Sequence, residues 1–510
     1  MRKEFSFDNL FVYDLANNHQ GDLEHAANIV REIGRVNAAA GVRGALKFQF
    51  RQLETFIHPD FQTRTDHKYV KRFLETRLSM DDFRNLLPVV RQSGLLTMST
   101  PFDEESVDVI CDMNIDVIKI ASCSADDRPL VEKIARVNKP VVISTAGLRI
   151  EDIDWLVNFM ESERVNFALM HCVALYPTPD DKLQLDQIRQ MKQRYRSIEI
   201  GWSTHETPDN LSAVQIAYAL GARMFERHVG LNTEKHQLNA YSSTPLQIEN
   251  WLAAFNNARA MLGARERSPA RPDERQTLAE LKRGVFVRHD VKAGDVLAPT
   301  DVFFAMPCSE GSMTSGGFRV GMIADRDYAA NEGLSTAMTP HGMSDDQIVY
   351  QIMLQVRGLL NMAGICINEA ATIEISHHYG LHRFREFGAV LITCINREYA
   401  KKLVIQLPRQ KHPYHFHKRK EETFQLLAGD VEIVKEGHRF ALEPGDTLLV
   451  EPGEWHKFHT LEGCVFEEVS STSYPDDSFY EDPTIASMHR AERKTKVDHW
   501  LAYFRDRHRD

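Results

Sequence analysis

Cysteine is scarce and unpatterned in this 510-residue chain: Cys111, Cys123, Cys172, Cys308, Cys366, Cys394 and Cys464 are all there are, with no C-x-x-C among them. An odd, scattered set argues against a disulfide framework and for reduced thiols in a cytoplasmic protein. Long apolar runs are missing too. No stretch reaches the roughly 18 apolar residues of a membrane helix, and the N-terminal MRKEFSFDNLFVYDLANNH has no apolar signal core. Nor is there a long basic run, and 72 acidic against 61 basic residues leave a net charge of -11. That balance excludes a nucleic-acid surface and leaves small molecules as the expected partners. What remains, 43% apolar and 26% charged, is the composition of a globular chain long enough for two to four domains.

Eight short β-rich runs punctuate the first half: residues 11–16, 45–50, 95–100, 116–121, 140–146, 167–173, 198–204 and 224–229. Between them lie segments such as LEHAANIVREIGRVNAAAG and TPDNLSAVQIAYALGA, whose apolar residues recur at three and four and which stop at glycine. Alternating strand and helix implies parallel pairing, and eight such units predict a (β/α)8 barrel over residues 1–265.

In such a barrel the chemistry belongs at the C-terminal ends of the strands. Polar residues gather at those ends: Asp14, Asn18 and His19, then Lys47 and Gln49, Thr100, Lys119 and Ser122, Ser144, Tyr176, His205, and finally Glu226 with His228. His205 and His228 end neighbouring strands, about 4.8 Å apart, so their imidazoles can share one metal ion. Lys47 and Lys119 with Thr100, Ser122 and Ser144 form a cationic, hydroxyl-lined cradle suited to phosphate or carboxylate oxygens. A lone lysine or histidine at a strand end is more often merely solvated or paired; it is their joint occurrence on one rim that points to an active site.

The strings KFQ, STPFDEESVD, IKIAS, HCVALYPTP, GWSTHE and ERHVGL resemble the motifs of the sialic acid synthase family. The resemblance implies an enzyme that condenses phosphoenolpyruvate with an aldose. It also implies that Lys47, Thr100, Lys119, Ser122, Ser144 and Ser203 hold phosphoenolpyruvate, that Gln49 and Tyr176 line the pocket, and that His205 and His228 bind manganese or magnesium. Asp14 stands, in YDLANNHQG, where the family carries an acidic residue for proton handling. Departures fall on the acceptor side: Leu238 replaces an aspartate in LNAYS, Ala174 replaces an asparagine or serine, and the fifth-strand motif reads STAG, Ser144–Gly147. An acceptor other than N-acetylmannosamine is therefore expected.

A polar linker is expected over 266–280. The two halves of 281–340 resemble the small antifreeze-like α+β domain of the family, which implies a homodimer with that domain swapped onto the partner. The family's acceptor-reading arginine falls at Met306, which lacks the forked donors, unless Arg319 takes its place. A helical connector is expected over 341–370. Over 371–475 the period changes to two with closely spaced glycine turns, predicting an all-β cupin barrel. HFHKRKEETFQLLAG reads H-x-H-x4-E-x6-G, and GDTLLVEPGEWH adds a later histidine. His415, His417, Glu422 and His456 form a candidate metal set for zinc, manganese, iron or nickel, with Glu421 as an alternative carboxylate. The stretch PRQKHPYHFHKRKEE resembles sugar-isomerising cupins, so this domain is expected either to isomerise a ketose to the aldose or to bind sugar without chemistry. Residues 476–510 read as a charged, terminal helical tail.

The leading expectation is a metal-dependent transferase making a 3-deoxy-2-ulosonic acid for a surface polysaccharide or glycoconjugate. A Schiff-base pyruvate aldolase on the same barrel and a non-catalytic sugar-binding protein are the alternatives.

Overall fold

Alternate residues of eight parallel strands point at a common axis, and the sequence along each changes character from apolar to polar toward its C-terminal end. The strands are β1 (Leu10–Asp14), β2 (Arg43–Phe50), β3 (Leu96–Pro101), β4 (Val117–Ile120), β5 (Val141–Ser144), β6 (Phe167–Cys172), β7 (Glu199–Thr204) and β8 (Met224–His228). They pair in chain order and close, β8 lying against β1 with Asp14 opposite His228. On the inner face Val12, Ala45, Met98, Val117, Val142 and Met224 form one buried apolar cluster. Two residues further along the same strands stand Asp14, Lys47, Thr100, Lys119, Ser144 and Glu226, all buried. The floor of the barrel is thus a packed plug, and its mouth is polar.

The outer faces of the strands carry the larger core, where Phe11 stacks on Phe225 at 5.4 Å and both meet Trp251 and Phe255. Helices cover it. Leu23–Ala40 starts at Asp22, whose carboxylate accepts the His25 N–H, and stops at Gly41 with φ 64, the left-handed conformation that glycine takes at least cost. Pro245–Leu262 starts from Thr244 and Gln247, which cap each other's backbone. Each Leu, Ile or Phe buried in this layer contributes roughly 1.5–3 kcal/mol, so the shell of helices stabilises the barrel.

The structure is a computed structural model that describes residues 5–64, 66–264, 269–309, 311–336, 344–368, 371–498 and 500. The chain forms two compact units, Met1–Ser268 and Pro269–Asp510. Among the described residues no helix is long and apolar enough to cross a membrane.

Within the second unit three sequence expectations need correction. The expected linker is partly helix, Pro272–Leu281, because Pro272 and an acidic first turn favour a helix start; its side chains are exposed, and residues 265–268 lie outside the described residues. The expected connector is a core element. Helix Asp345–Met362 buries Val349, Ile352, Met353, Val356 and Leu360 in one cluster with Ile373, Ile375, Val390 and Leu403 of the following sheet. The tail is not a charged helix over its described part. Phe479–Tyr480 and Lys494–Val497 are strands, with a short helix at Pro483–Ser487, while residues 501–510 lie outside the described residues.

Residues 284–336 close a small core of their own, with Val285, Val287, Leu297, Met313, Tyr328 and Leu334 around the antiparallel pair Gly284–Val287 and Val302–Ala305. The cupin consists of two antiparallel sheets. One runs in the order Thr447–Val450, Glu422–Gly429, Cys464–Ser471, Tyr399–Gln406, Ala389–Asn396, Ile373–Ser376, Lys494–Val497. The other runs His438–Leu442, Val431–Lys435, His456–His459, His415–Phe416, Phe479–Tyr480. Both sheets therefore end on strands from the described part of the expected tail.

Candidate active site and metal centres

At the barrel mouth a carboxylate stands between two ammonium groups. Lys47 Nζ lies 3.0 Å from Glu226 Oε1 and 3.0 Å from Asp14 Oδ2. Lys119 Nζ lies 3.9 Å from Glu226 Oε2, donates to Ser144 Oγ at 2.5 Å and to the Ile120 carbonyl at 3.1 Å. Ser203 Oγ donates to Glu226 Oε1 at 3.0 Å, and Gln49 Nε2 donates to Asp14 Oδ2 at 3.2 Å. The spacing of two along each strand makes this cluster: Lys47 and Gln49, Ser203 and His205, and Glu226 and His228 each share one inward face.

Charge in the cluster is strongly linked. Burial opposes the Lys47 ammonium, but Asp14 and Glu226 together outweigh it and hold its pKa above the ordinary lysine value. Burial lowers the Lys119 pKa, and Glu226 offsets only part of that. Glu226 itself is held below the usual carboxylate range: burial pushes it up, while Lys119 and Lys47 pull it further down. Thr100 Oγ1 is buried with no hydrogen-bond partner among the described residues, leaving a hydroxyl free for a ligand.

The two imidazoles are neighbours, with ring centroids 5.4 Å apart. His205 Nδ1 is 3.0 Å from the Val173 carbonyl, which can only accept, so that nitrogen carries the proton and Nε2 keeps its lone pair. His228 Nε2 lies 3.5 Å from Asp14 Oδ2, and its Nδ1 is buried without a partner among the described residues. Burial, with His228 as the second cause, drives the His205 pKa to about 3, and burial lowers that of His228. Neutral imidazoles are what a metal needs. The two imidazoles therefore suit a divalent cation by donor type.

Other expected site residues are placed differently. Asn18 is buried, but its amide is spent on the Val229 carbonyl at 2.9 Å and Ser242 Oγ at 3.0 Å, tying the loop after β1 to the loop after β8. His19 accepts the Gly21 N–H, packs on Phe83 and lines a cavity together with Gln49 and Arg51. Ser122 Oγ accepts the Ala146 N–H at 3.0 Å. Tyr176 is half exposed, with its ring 4.1 Å from that of His205.

Two residues at the mouth were not singled out from the sequence. Tyr241 meets His228 at 5.3 Å and Tyr176 at 5.2 Å, so aromatic rings wall the imidazole pair. Arg51 lies against Phe73 and Phe102, donates to Gln49 Oε1 at 3.0 Å and leaves Nε without a partner among the described residues. Its place two residues beyond Gln49 on the line of β2 was the available signal. Leu238, the acceptor-side departure, packs over Gly230, where an added β-carbon would come 2.5 Å from Leu238 Cδ1.

The cupin brings His415, His417 and His456 together, with one donor atom from each within 4.8 Å of the others. In all three, Nδ1 faces a carbonyl oxygen: Pro413 at 3.1 Å for His415, Asp477 for His417 and Glu454 at 3.2 Å for His456. Each Nε2 is therefore left with its lone pair, the arrangement that metal-ligating histidines share. His456 Nε2 sits 3.2 Å from Glu422 Oε2, and both are buried without a hydrogen bond. Two acceptors at that separation call for a cation, and the set fits a divalent transition metal. Glu421 is exposed, whereas Glu422 is buried and also meets His417 Nε2 at 3.5 Å, so the geometry selects Glu422. We expect the double variant His415→Ala, His417→Ala to lose one bound metal per chain by elemental analysis. An unaltered metal content would remove the assignment.

Residues 35–267 match the NeuB family, and residues 402–466 match the cupin domain. A solved structure from Chromobacterium violaceum, provisionally named spore coat polysaccharide biosynthesis protein E, is 44% identical; the match covers 65% of this chain and 100% of that one, with a TM-score of 0.62. An uncharacterized protein of Methanocaldococcus jannaschii is 30% identical over 57% of this chain and 82% of its own. N,N'-diacetyllegionaminic acid synthase of Campylobacter jejuni is 23% identical over 63% of this chain and 98% of its own.

Proposed function

The chain belongs to the NeuB family of sialic acid synthases, and from that premise we propose that its barrel joins phosphoenolpyruvate to an aldose, giving a 3-deoxy-2-ulosonic acid and inorganic phosphate. The observation that carries this reading is the pair of buried ammonium groups, Lys47 and Lys119, set around Glu226 beside the hydroxyls of Ser144, Ser203 and Thr100. A small donor with both a carboxylate and a phosphate suits two cations and three hydroxyls. In a low-dielectric mouth those charges are already oriented, so they stabilise negative charge as it redistributes.

Carbon 3 of the enol attacks the aldehyde carbon, water adds at carbon 2, and the adduct loses phosphate by carbon–oxygen cleavage. Asp14, 3.0 Å from Lys47 Nζ and 3.5 Å from His228 Nε2, is the acidic group placed to give or take a proton at the acceptor oxygen. A divalent ion, manganese or magnesium, held by His205 and His228 would supply Lewis-acid polarisation of the aldehyde. Tyr176 and Tyr241 flank that end. Leu238, closed over Gly230, and Ala174, beyond β6, stand where the family carries an aspartate and an asparagine or serine, which supports an acceptor other than N-acetylmannosamine.

The cupin, in the same reading, holds a second, transition metal and a sugar. Residues 284–336, with their own core, stand as the antifreeze-like module of a homodimer in which that module is swapped; sedimentation of the full chain as a monomer would remove this point. The product serves surface polysaccharide or glycoconjugate synthesis. The test of the whole is phosphate release from phosphoenolpyruvate with manganese present, across aldoses with and without N-acyl and phosphate groups. Release that depends on one aldose is expected. No release with any of them would leave the non-catalytic sugar-binding reading in possession.

A further inference from the structure

The cupin metal cluster opens into a cavity of about 210 Å³ whose far wall is cationic. That volume lies below the roughly 300–1,000 Å³ of pockets for larger ligands, so its occupant is small. The charges of the wall can be paired off. Glu374 accepts from Lys494 and, at 3.1 Å, from Arg490 Nη2. Glu468 accepts from Lys402 at 2.9 Å and from Lys420 at 3.2 Å, and Lys420 also meets the metal-side carboxylate Glu422. Every carboxylate lining the cavity is thereby committed, and Arg493 is left over. Its Nε and Nη1 are buried with no hydrogen-bond partner among the described residues, and its Cζ sits 4.6 Å over the Tyr480 ring. Tyr480 in turn stacks on the ligand candidate His415 at 5.4 Å. One aromatic ring thus separates an unpaired guanidinium edge from the histidine cluster.

Two buried guanidinium donors left idle in a cavity of net positive charge are costly unless an anion occupies it. The planar fork of arginine suits the paired oxygens of a phosphate or carboxylate. At the other end three imidazoles and Glu422 suit a metal that takes hydroxyl or carbonyl oxygens. We propose that the cupin cavity binds a small anionic polyol, a sugar phosphate or a sugar acid, with its anionic group on Arg493 and its hydroxyls toward the histidine cluster. This deepens the reading of the cupin as a metal and sugar site and rests on it for the hydroxyl end alone.

The test is isothermal titration of the full-length, metal-loaded protein with D-mannose, D-mannose 6-phosphate and D-mannonate. At least tenfold tighter binding of one anionic sugar than of D-mannose is expected, and which of the two prevails identifies the source of the anion. Arg493→Gln is expected to bring that sugar to the affinity of D-mannose with metal content unchanged. Arg493→Lys, which keeps the charge and loses the fork, should fall between and covers the case in which the glutamine variant does not fold. Equal affinity for all three sugars, or an anion preference that survives at Arg493→Gln and Arg493→Lys, would overturn the proposal, the latter placing the anion elsewhere. Normal Arg493-dependent binding in protein whose cupin holds no metal would instead overturn the metal reading and leave the anion site standing.

Discussion

Glu226→Gln is expected to lower phosphate release by at least about 10²-fold and to destabilise the chain by about 3–5 kcal/mol. The carboxylate is buried, takes Lys47 at 3.0 Å and Ser203 at 3.0 Å, and lies 3.9 Å from Lys119. Glutamine keeps the shape and an acceptor for Ser203, but removes the charge. Lys47 would retain Asp14; Lys119 would retain only the Ser144 hydroxyl and the Ile120 carbonyl. A buried ammonium without a counter-charge is what makes loss of one partner far costlier than loss of both. The sign with pH follows. The folded-state pKa of Glu226 is depressed, so its contribution to stability is complete above the unfolded value of about 4.3 and is lost as pH falls toward the depressed folded value. Wild-type protein should show an acid-side fall in melting temperature that is shallower in Glu226→Gln. A variant that melts and turns over like the wild type would show that Glu226 does not anchor the lysines.

The same cluster shows what a sequence can and cannot carry. Lys47, Lys119, Ser144 and Glu226 were legible because each stands two residues beyond an inward apolar residue on a strand whose period is itself legible. His205 and His228 were legible for the same reason, ending neighbouring strands. Asn18 and His19 share one loop, and only three-dimensional contacts show that the first clamps two loops while the second packs on Phe83. Tyr241 lies in the loop after β8, where no period constrains direction, whereas Arg51 continues the two-residue spacing of β2 past Gln49 and could have been found by it. In the cupin the strand Lys494–Val497 was hidden by its own charges; Lys494 reads as a solvated tail residue until Glu374 is found on the strand beside it. Helix Asp345–Met362 was legible as a helix, but which surface its apolar face covers is a tertiary fact.

Chelation separates the proposed synthase from the other enzyme that this barrel could house. Removal of the divalent ion from the barrel is expected to reduce phosphate release on the order of 10³-fold, about 4 kcal/mol of transition-state stabilisation, and His205→Gln should behave likewise even with manganese in excess. The competing chemistry has a concrete foothold in Lys119: burial lowers its ammonium pKa, as a Schiff-base lysine requires. Against it, Lys119 Nζ is engaged by Ser144, by the Ile120 carbonyl and by Glu226, so it acts as a fixed cation and its lone pair is not presented to a carbonyl. Borohydride added with pyruvate should therefore leave activity intact, and no adduct should appear on Lys119 by mass spectrometry. Were the outcome reversed, with chelator harmless and Lys119 trapped, the imidazole pair would cease to be a metal centre for the reaction and Lys119 would become the nucleophile of an aldolase.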